Sequence, residues 1–206
     1  FREYLLEHGY ESTVVENRPE SGTLGERTPD AHWCVGYLGR VREVESFQFL
    51  LDAVLSMETK QRPSIRIAGD GVAFDLVSQL LLTAKKNHEL DVKITGSFDS
   101  DEFSTMILEI DVMYALYSPN RGNILQGALP VKMFDAAAHG VPSVVNAKCL
   151  MGEVAESEEI GQTVEWLDHN QLAASLIQLR DSRVQLNTTS ERERKYFLEA
   201  VNRLLI

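Results

Sequence analysis

The chain has 206 residues, a formal net charge of −11, 44% hydrophobic residues and 25% charged residues. This profile is typical of a globular protein with one domain of ordinary size, and it excludes a disordered or collagen-like chain. The negative field repels polyanions, so we expect no nucleic-acid partner. Cys34 and Cys149 lie far apart without metal-ligand spacing. They are interpreted as reduced thiols, which predicts a reducing, cytoplasmic location.

The two ends of the chain differ from its centre. Residues 1–32 begin with a short helical pattern and continue as the polar, turn-rich segment ENRPESGTLGERTPD. We expect a linker there, and because the chain opens on Phe1 we expect it to follow a missing N-terminal domain. Residues 33–185 are predicted to form the central domain, and residues 186–206 a C-terminal helix. One side of that helix is apolar and must pack on this domain or on a missing neighbour. It consists of Phe197, Val201, Leu204 and Leu205.

The central region alternates short β-rich runs with longer helical patterns. Apolar residues recur at helical spacing between the runs, which indicates amphipathic helices. Near-continuous apolar strands joined by helical crossovers predict an α/β fold with a doubly wound parallel sheet. Such sheets bind ligands at the carboxyl ends of their strands. The predicted strands cover residues 33–39, 64–69, 91–96, 111–117 and 142–147.

One predicted helix carries the strongest candidate site, in the segment LPVKMFDAAAHGVPSVVN. Its first turn falls near Leu129 and Pro130, where free backbone amides and the helix dipole favour an anion. Lys132 lies just inside that turn. Asp135 follows about one and a half turns in, a position that suits hydrogen bonds from vicinal hydroxyls. In the alternative interpretation, Lys132 and Asp135 only cover the solvated side of an ordinary helix.

Two strand exits add candidate residues. Arg40 follows Gly39 directly after the first strand, and a guanidinium there suits bidentate binding of a diphosphate. The alternative is an exposed loop arginine paired with Glu43 or Glu45. The second strand closes on IAGDG, in which Gly69 would let backbone and ligand approach each other, although such turns are common.

Other patterns are interpreted as structural. Asp99 and Asp101 resemble a metal-binding Asp-x-Asp pair, but Asp99 and Glu102 have the spacing of a capping box at a helix start. His139 falls at the carboxyl end of a helix, where a histidine interacts favourably with the helix dipole. GYLGRV lacks the third glycine of a dinucleotide fingerprint, and no serine lies in a nucleophile elbow. The sequence therefore disfavours a hydrolase and a metalloenzyme.

Taken in order, the motifs resemble the C-terminal, donor-binding domain of a GT-B glycosyltransferase of the group 1 (family 4) type. The resemblance covers roughly residues 12–180 and is specific because the motifs occur in the family's order. The segments that carry it are TVVENRPE, VGYLGRVREVESFQFLLDAV, IRIAGDG, VKITGSFDSDEFSTMILEIDVMYALYSP, LPVKMFDAAAHGVPSVV and GEVAESEEIGQTVEWLDHNQLAASLIQL.

The resemblance implies a Rossmann-like domain that binds a nucleotide-diphosphate sugar without an essential metal or another cofactor. Arg40 and Asp135 are its catalytic candidates: Arg40 would hold the diphosphate and Asp135 the ribose hydroxyls. The remaining donor-binding candidates would cradle the phosphates or border the base. They are Gly39, Arg42, Gly69, Gly96, Ser97, Phe98, Leu129, Pro130, Val131 and Lys132.

The sequence departs from the family pattern at two positions. The position of the first acid in the family's Glu-x7-Glu pair is occupied by Gly127. The position of a lysine that the family has after the arginine is occupied by Glu45, and Arg42 would take over the role of that lysine if its loop turned inward. The first hypothesis is a retaining, hexosyltransferase-like enzyme of polysaccharide or glycolipid synthesis. This chain would be inactive without its N-terminal domain, which would also make any contact with the inner face of the membrane.

Two alternatives remain open. Glu45 and Gly127 favour a degenerate glycosyltransferase-like module that serves as a weak binder or an interaction surface. A nucleotide-sugar epimerase of the same architecture would need catalytic acids that the sequence does not present.

Overall fold

A computed structural model describes residues 2–20 and 33–204. Its centre is a six-stranded, all-parallel sheet with strand order β3-β2-β1-β4-β5-β6. The predicted doubly wound sheet is confirmed, as are all five predicted strands. A sixth strand at the β5 edge was not predicted. The strands are β1 (Cys34–Leu38), β2 (Ser64–Ala68), β3 (Val92–Thr95), β4 (Val112–Ala115), β5 (Ser143–Asn146) and β6 (Gly161–Val164).

Helices connect the strands and cover both faces of the sheet. Side chains alternate along β1: Val35 and Tyr37 enter the larger hydrophobic core, whereas Cys34 and Leu38 enter a smaller core on the opposite face. The described helices are α1 (Arg2–Glu7), α2 (Glu45–Ser56), α3 (Phe74–His88), α4 (Ser100–Met106), α5 (Gly122–Leu125), α6 (Val131–Ala138), α7 (Leu150–Ser157), α8 (His169–Leu179) and α9 (Ser190–Leu204). Within the described ranges, no helix is both long and apolar enough to cross a membrane.

The predicted helix signals at α4 and α6 are confirmed. Asp99 Oδ1 accepts from the amides of Asp101 and Glu102, and Glu102 Oε2 accepts from the amide of Asp99, which completes the capping box. Helix α6 ends at Ala138, and Gly140, two residues later, has φ +81°. The amides of Gly140 and Val141 bond back to the last turn of α6, so the chain turns sharply into β5.

Residues 13–20, which we call the connector, tie α9 to the domain. The Ser190 amide donates to the Pro19 carbonyl at 2.9 Å, and Glu193 accepts from the Glu16 amide at 2.8 Å. These contacts come from the start of α9, whereas Phe197 of its predicted apolar side is 54% exposed. Residues 21–32 of the predicted linker, the side chain of Leu204 and all of Leu205 lie outside the described part of the structure.

Candidate functional site

The site lies where the strand order reverses. Strands β1 and β4 are neighbours, but the chain leaves β1 toward β2 and leaves β4 toward β5. The connections at their carboxyl ends therefore diverge and leave a crevice, the position at which doubly wound sheets bind ligands. Residues after β1 and the loop from β4 to α6 form its two sides.

Helix α6 enters this crevice with its amino end uncapped by a side chain. Pro130 is the N-cap, with extended backbone at φ −73° and ψ 122°, and Val131 is the first helical residue. The helix therefore begins just after the predicted first turn near Leu129 and Pro130, and Pro130 is the N-cap and not a helical residue. Leu129, just before it, is half-buried and packs on the larger core. The Met133 amide donates to the Pro130 carbonyl at 3.1 Å, whereas the amides of Val131 and Lys132 come before this first hydrogen bond of the helix. Those two amides are available to an anion.

Lys132 joins α6 to the exit of β1. A Cβ atom on Gly39 would lie 3.4 Å from both Cε and Nζ of Lys132. The ammonium lies 3.1 Å from the centroid of the Tyr37 ring and 5.7 Å from that of Tyr117. Nζ is buried and has no hydrogen-bond partner among the described residues. The interpretation of Lys132 as a solvated helix residue is therefore wrong.

The surroundings of Lys132 disfavour its charged form. Burial holds the pKa of the Lys132 ammonium well below its usual range, and the nearby positive charge of Arg121 lowers that pKa further. The attraction of the Tyr37 ring is a partial compensation only, because a ring face offers no hydrogen-bond acceptor comparable to an anion. A cation in this position lacks a counter-ion.

Asp135 lies on the same helix and is half-buried. Burial raises the pKa of its carboxyl to about 6, although the charge of His139 opposes the shift. No described side chain donates a hydrogen bond to this carboxylate, so its oxygens remain free to accept from a ligand. The His139 Nδ1 atom lies 2.8 Å from the Asp135 carbonyl oxygen, which agrees with the predicted structural role of this histidine at the helix end.

Arg40 is an exposed loop arginine, as the alternative expected, but it pairs with neither Glu43 nor Glu45. Its Nε lies 3.2 Å from Oδ1 of Asp70, in the loop after β2. Ser97 Oγ, in the loop after β3, donates to the other Asp70 oxygen at 3.2 Å. The side chain of Arg40 is 64% exposed, so Arg40 stands at the rim of the crevice and its ion pair is open to exchange.

The exits of β1 and β2 are in direct backbone contact. Gly69 has φ +143°, and a Cβ there would lie 1.9 Å from the Gly39 carbonyl oxygen. The Gly39 amide donates to the Ala68 carbonyl at 2.9 Å. Only a glycine fits at position 69, because the backbone of Gly39 lies against it. The predicted approach of a ligand at Gly69 stays a prediction.

The predicted base-side residues lie further along this edge. Gly96 is exposed, and nothing lies within 4 Å of the Cβ it lacks. Phe98 is half-buried and stacks on Phe103 with ring centroids 6.2 Å apart, so its ring is engaged in packing. Gly96, Ser97 and Asp70 leave open backbone and polar groups there.

Arg42 and Glu45 both face solvent. The Arg42 loop does not turn the guanidinium into the crevice. Glu45 is the first residue of α2, where a carboxylate interacts favourably with the helix dipole. The acidic residue at this position thus has a structural reason.

Sequence reasoning missed four residues of the crevice: Tyr37, Glu43, Tyr117 and Arg121. The Arg121 guanidinium lies over the Tyr117 ring at 4.6 Å, and its Nε is 4.0 Å from Oε2 of Glu43. Glu43 Oε1 accepts from the Ser118 amide at 2.8 Å, although burial raises the pKa of this carboxyl. Arg121 falls between two of the segments that carry the family resemblance, which end at Pro119 and resume at Leu129.

Within residues 2–20 and 33–204, no cluster of three or more His, Cys, Asp or Glu residues could hold a metal ion. A separate cavity of about 200 Å³ lies beyond β5, toward β6. It is lined by Pro119, Ile124, Asn146, Ala147, Lys148, Cys149, Glu165 and Trp166.

Comparison with known proteins identifies the family. Residues 33–182 match the profile described as "Glycosyl transferases group 1". The chain belongs to this family. The resemblance predicted from its motifs is thereby confirmed. No individual curated protein matches the sequence significantly.

Solved structures of group 1 and related glycosyltransferases share the fold. The catalytic domain of the Helicobacter pylori cholesterol-α-glucosyltransferase is 18% identical with a TM-score of 0.55, over 82% of this chain and 98% of that one. The lipopolysaccharide outer core galactosyltransferase WaaB is 14% identical with a TM-score of 0.68, over 97% of this chain and 58% of that one. Anabaena HepE, solved with UDP and glucose, is 13% identical with a TM-score of 0.58, over 84% and 48%.

These similarities confirm a Rossmann-like GT-B domain. The chain spans 58% of the length of WaaB and 48% of that of HepE. It therefore corresponds to one part of those larger glycosyltransferases.

Proposed function

We propose that this chain is the donor-binding domain of a retaining, metal-independent hexosyltransferase that uses a nucleotide-diphosphate sugar. The observation that carries the proposal is the buried, unpartnered ammonium of Lys132 beside Gly39 at the amino end of α6. An isolated cation out of contact with water costs several kcal/mol, by order of magnitude. A diphosphate would supply the missing acceptor oxygens.

The departing diphosphate gains charge as the glycosidic bond to the sugar breaks. That charge would be stabilised electrostatically by the side chains of Lys132 and Arg40 and by the backbone amides of Val131 and Lys132. Arg40 can exchange Asp70 for a phosphate at little cost, because exposed ion pairs contribute about 1 kcal/mol or less. Leu129 and Pro130 set the approach of the helix, and Gly39 and Gly69 keep the backbone close enough for contact.

Asp135 would bind the vicinal hydroxyls of the ribose. At pH 7 a carboxyl with a pKa of about 6 is mostly ionised, so it accepts two hydrogen bonds from the diol. Gly96 and Ser97 would border the base through backbone and hydroxyl groups, with the packed ring of Phe98 as a fixed wall.

The acceptor would be a polysaccharide or glycolipid and would bind mainly to an N-terminal Rossmann-like domain. This chain's coverage of about half of HepE supports such a partner domain. Any contact with the inner face of the cytoplasmic membrane would be made through that domain. The isolated chain is therefore expected to bind donor nucleotide without transferring sugar.

Calorimetric titration with UDP and GDP tests the proposal. We expect micromolar affinity for one of them in the unmodified chain and a loss of at least about tenfold, or 1.4 kcal/mol, in Arg40→Ala. Arg180→Ala, which removes an exposed arginine paired with Asp181 at the end of α8, is the matched control. Millimolar or undetectable affinity of the unmodified chain for both nucleotides would refute donor binding.

A second candidate is a glycosyltransferase-like module without catalysis. Gly127 favours it, because this position offers no carboxylate to the sugar and its missing Cβ would lie 3.3 Å from Leu150. Tight nucleotide binding together with sugar transfer by the full-length protein would exclude this candidate.

A further inference from the structure

We propose that Arg121 is a further cation of the diphosphate site, beside Lys132 and Arg40, so that the crevice selects a nucleoside diphosphate over a monophosphate. This inference rests on the proposed donor-binding function. Arg121 lies in the loop between β4 and α6, outside the residues that the sequence motifs identify as donor-binding.

Arg121 and Lys132 converge on one aromatic ring. The Arg121 guanidinium carbon is 4.6 Å from the Tyr117 ring centroid and the Lys132 Nζ is 5.7 Å from it. The side chain of Arg121 is only 22% exposed, so its charge is directed into the crevice and not toward bulk solvent. Two cations this close repel each other unless an anion lies between or beside them.

The local negative charge is insufficient for both cations. Within residues 2–20 and 33–204, Glu43 is the carboxylate that contacts Arg121, and its Oε2 is 4.0 Å from Arg121 Nε, at the outer limit of an ion pair. The other Glu43 oxygen already accepts from the Ser118 amide. With Lys132 protonated, the cluster carries two positive charges against one negative charge. A diphosphate, with at least two negative charges, is the complementary ligand.

The position of Arg121 in the fold supports this pairing. Arg121 precedes α5, and its amide donates to the Ser118 carbonyl at 3.0 Å, which closes a turn at the exit of β4. The same loop continues into Pro130 and the first turn of α6. Arg121 and Lys132 therefore lie near the two ends of one connection, and both approach the Tyr117 ring.

Neither other arginine at the β1 exit fills this role. Arg42 faces solvent, and Arg40 is held at the rim by Asp70. Arg40 on one side and Arg121 on the other would flank two successive phosphates, with Lys132 beneath them.

Calorimetric titration of UDP and UMP into Arg121→Gln, Arg121→Lys and Arg180→Gln tests the inference. Loss of one charge-assisted contact predicts about tenfold or greater weakening of UDP binding by Arg121→Gln, with a change in UMP affinity of less than about threefold. Arg121→Lys should retain part of the preference for UDP, and Arg180→Gln should behave like the unmodified chain. Thermal melts establish whether each variant is folded. If Arg121→Gln does not fold, Arg121→Lys is the variant that tests the inference.

The outcomes separate the two proposals. If the unmodified chain binds UDP and Arg121→Gln binds it equally well, Arg121 is not a ligand residue, while donor binding stands. Equal losses for UDP and UMP would show a role in loop structure and overturn the inference. A UDP-selective loss in a further variant, Arg42→Gln, without such a loss in Arg121→Gln would assign this role to Arg42 and overturn the inference. If the unmodified chain binds neither UDP nor pyrophosphate, both proposals fail.

Discussion

The ammonium of Lys132 lies 3.1 Å from the centroid of the Tyr37 ring, without a described hydrogen-bond partner. Tyr37 is at the end of β1 and Lys132 in the first turn of α6, so this contact joins the two sides of the crevice. In the free domain, the Lys132 ammonium contacts the face of the Tyr37 ring, although a buried cation is stabilised better by an anion. Such a residue is retained at the expense of stability, which is typical of a site built for a ligand.

Replacement of Lys132 by Met is expected to stabilise the free domain and to abolish tight UDP binding. Met has a similar length and no charge, so it removes the desolvation penalty and keeps the contacts with the Tyr37 ring. We expect a gain of about 1–3 kcal/mol in the free energy of unfolding, measured by urea denaturation. Lys93→Met, at a lysine that is 64% exposed, is the control and should change neither quantity appreciably. A less stable Lys132→Met variant that still binds UDP would contradict the proposed role.

Binding of UDP is expected to take up a proton. Burial and Arg121 lower the pKa of Lys132 in the free domain, whereas a bound diphosphate would raise it. UDP affinity should therefore fall as pH rises through the pKa of Lys132 in the free domain. Calorimetry in two buffers of different ionisation enthalpy measures the uptake, which should disappear in Lys132→Met.

The same shift affects stability in a defined direction. Because the folded pKa lies below the unfolded value of 10.5, the unfolded state binds more protons between the two. The destabilisation by Lys132 is complete below the folded pKa and is relieved as pH rises toward 10.5. A stability difference between Lys132→Met and the unmodified chain that stays constant with pH would contradict this linkage.

The regular elements could be predicted because their periodicity is local. The runs that became β1 to β5 are short and apolar, and the helices between them show one apolar face. Strand β6 was missed because Gln162 and Thr163 are polar and half-buried and Gly161 opens the strand. A Cβ on Gly161 would lie 2.3 Å from the Ser143 carbonyl oxygen, a requirement visible only once β5 lies beside it.

Candidate site residues could be predicted only where one segment contains its own signal. Lys132 and Asp135 were proposed from their spacing in α6, and Gly39 and Arg40 from the exit of a strand. Asp70 as the partner of Arg40, and Arg121 as the neighbour of Lys132, depend on contacts between loops that are distant in sequence. Polar loop residues have no periodicity, so nothing in the sequence distinguished Arg121 from its neighbours.

Asp135→Asn is expected to stabilise the domain at pH 8 and to weaken UDP binding. Burial raises the pKa of this carboxyl from 3.8 to about 6, so the folded state favours the protonated form. The resulting stabilisation is fully present below pH 3.8 and is lost as pH rises through about 6. Since the group is partly solvated, we expect Asp135→Asn to recover about 1–2 kcal/mol at pH 8 and almost none at pH 4. Equal effects at the two pH values would show that the carboxyl charge is not responsible.

Arg18→Met is expected to destabilise the domain strongly, because Arg18 joins the connector to Glu158, just after α7, and to Phe134 in α6. Its side chain is 1% exposed and forms two hydrogen bonds with Glu158, at 2.6 and 2.7 Å, and one with Glu16 at 2.7 Å. The guanidinium also lies 4.0 Å from the centroid of the Phe134 ring in α6, beside Asp135. Removing one partner from a buried ion pair costs about 3–5 kcal/mol, since Glu158 is left without its counter-ion.

Chemical denaturation of Arg18→Met measures that loss. Arg180→Met, at an arginine whose side chain is 41% exposed, is the comparison and should lower the free energy of unfolding by less than about 0.5 kcal/mol. The pKa of Glu158 supplies a second readout. Its hydrogen bonds and ion pair with Arg18 outweigh burial and hold this pKa below its usual value, so the corresponding stability is present at neutral pH and is lost on acidification. The difference between Arg18→Met and the unmodified chain should therefore shrink below about pH 4, where carboxyls protonate. A difference that does not change with pH would mean that Arg18 acts through packing on Phe134 and not through its ion pair.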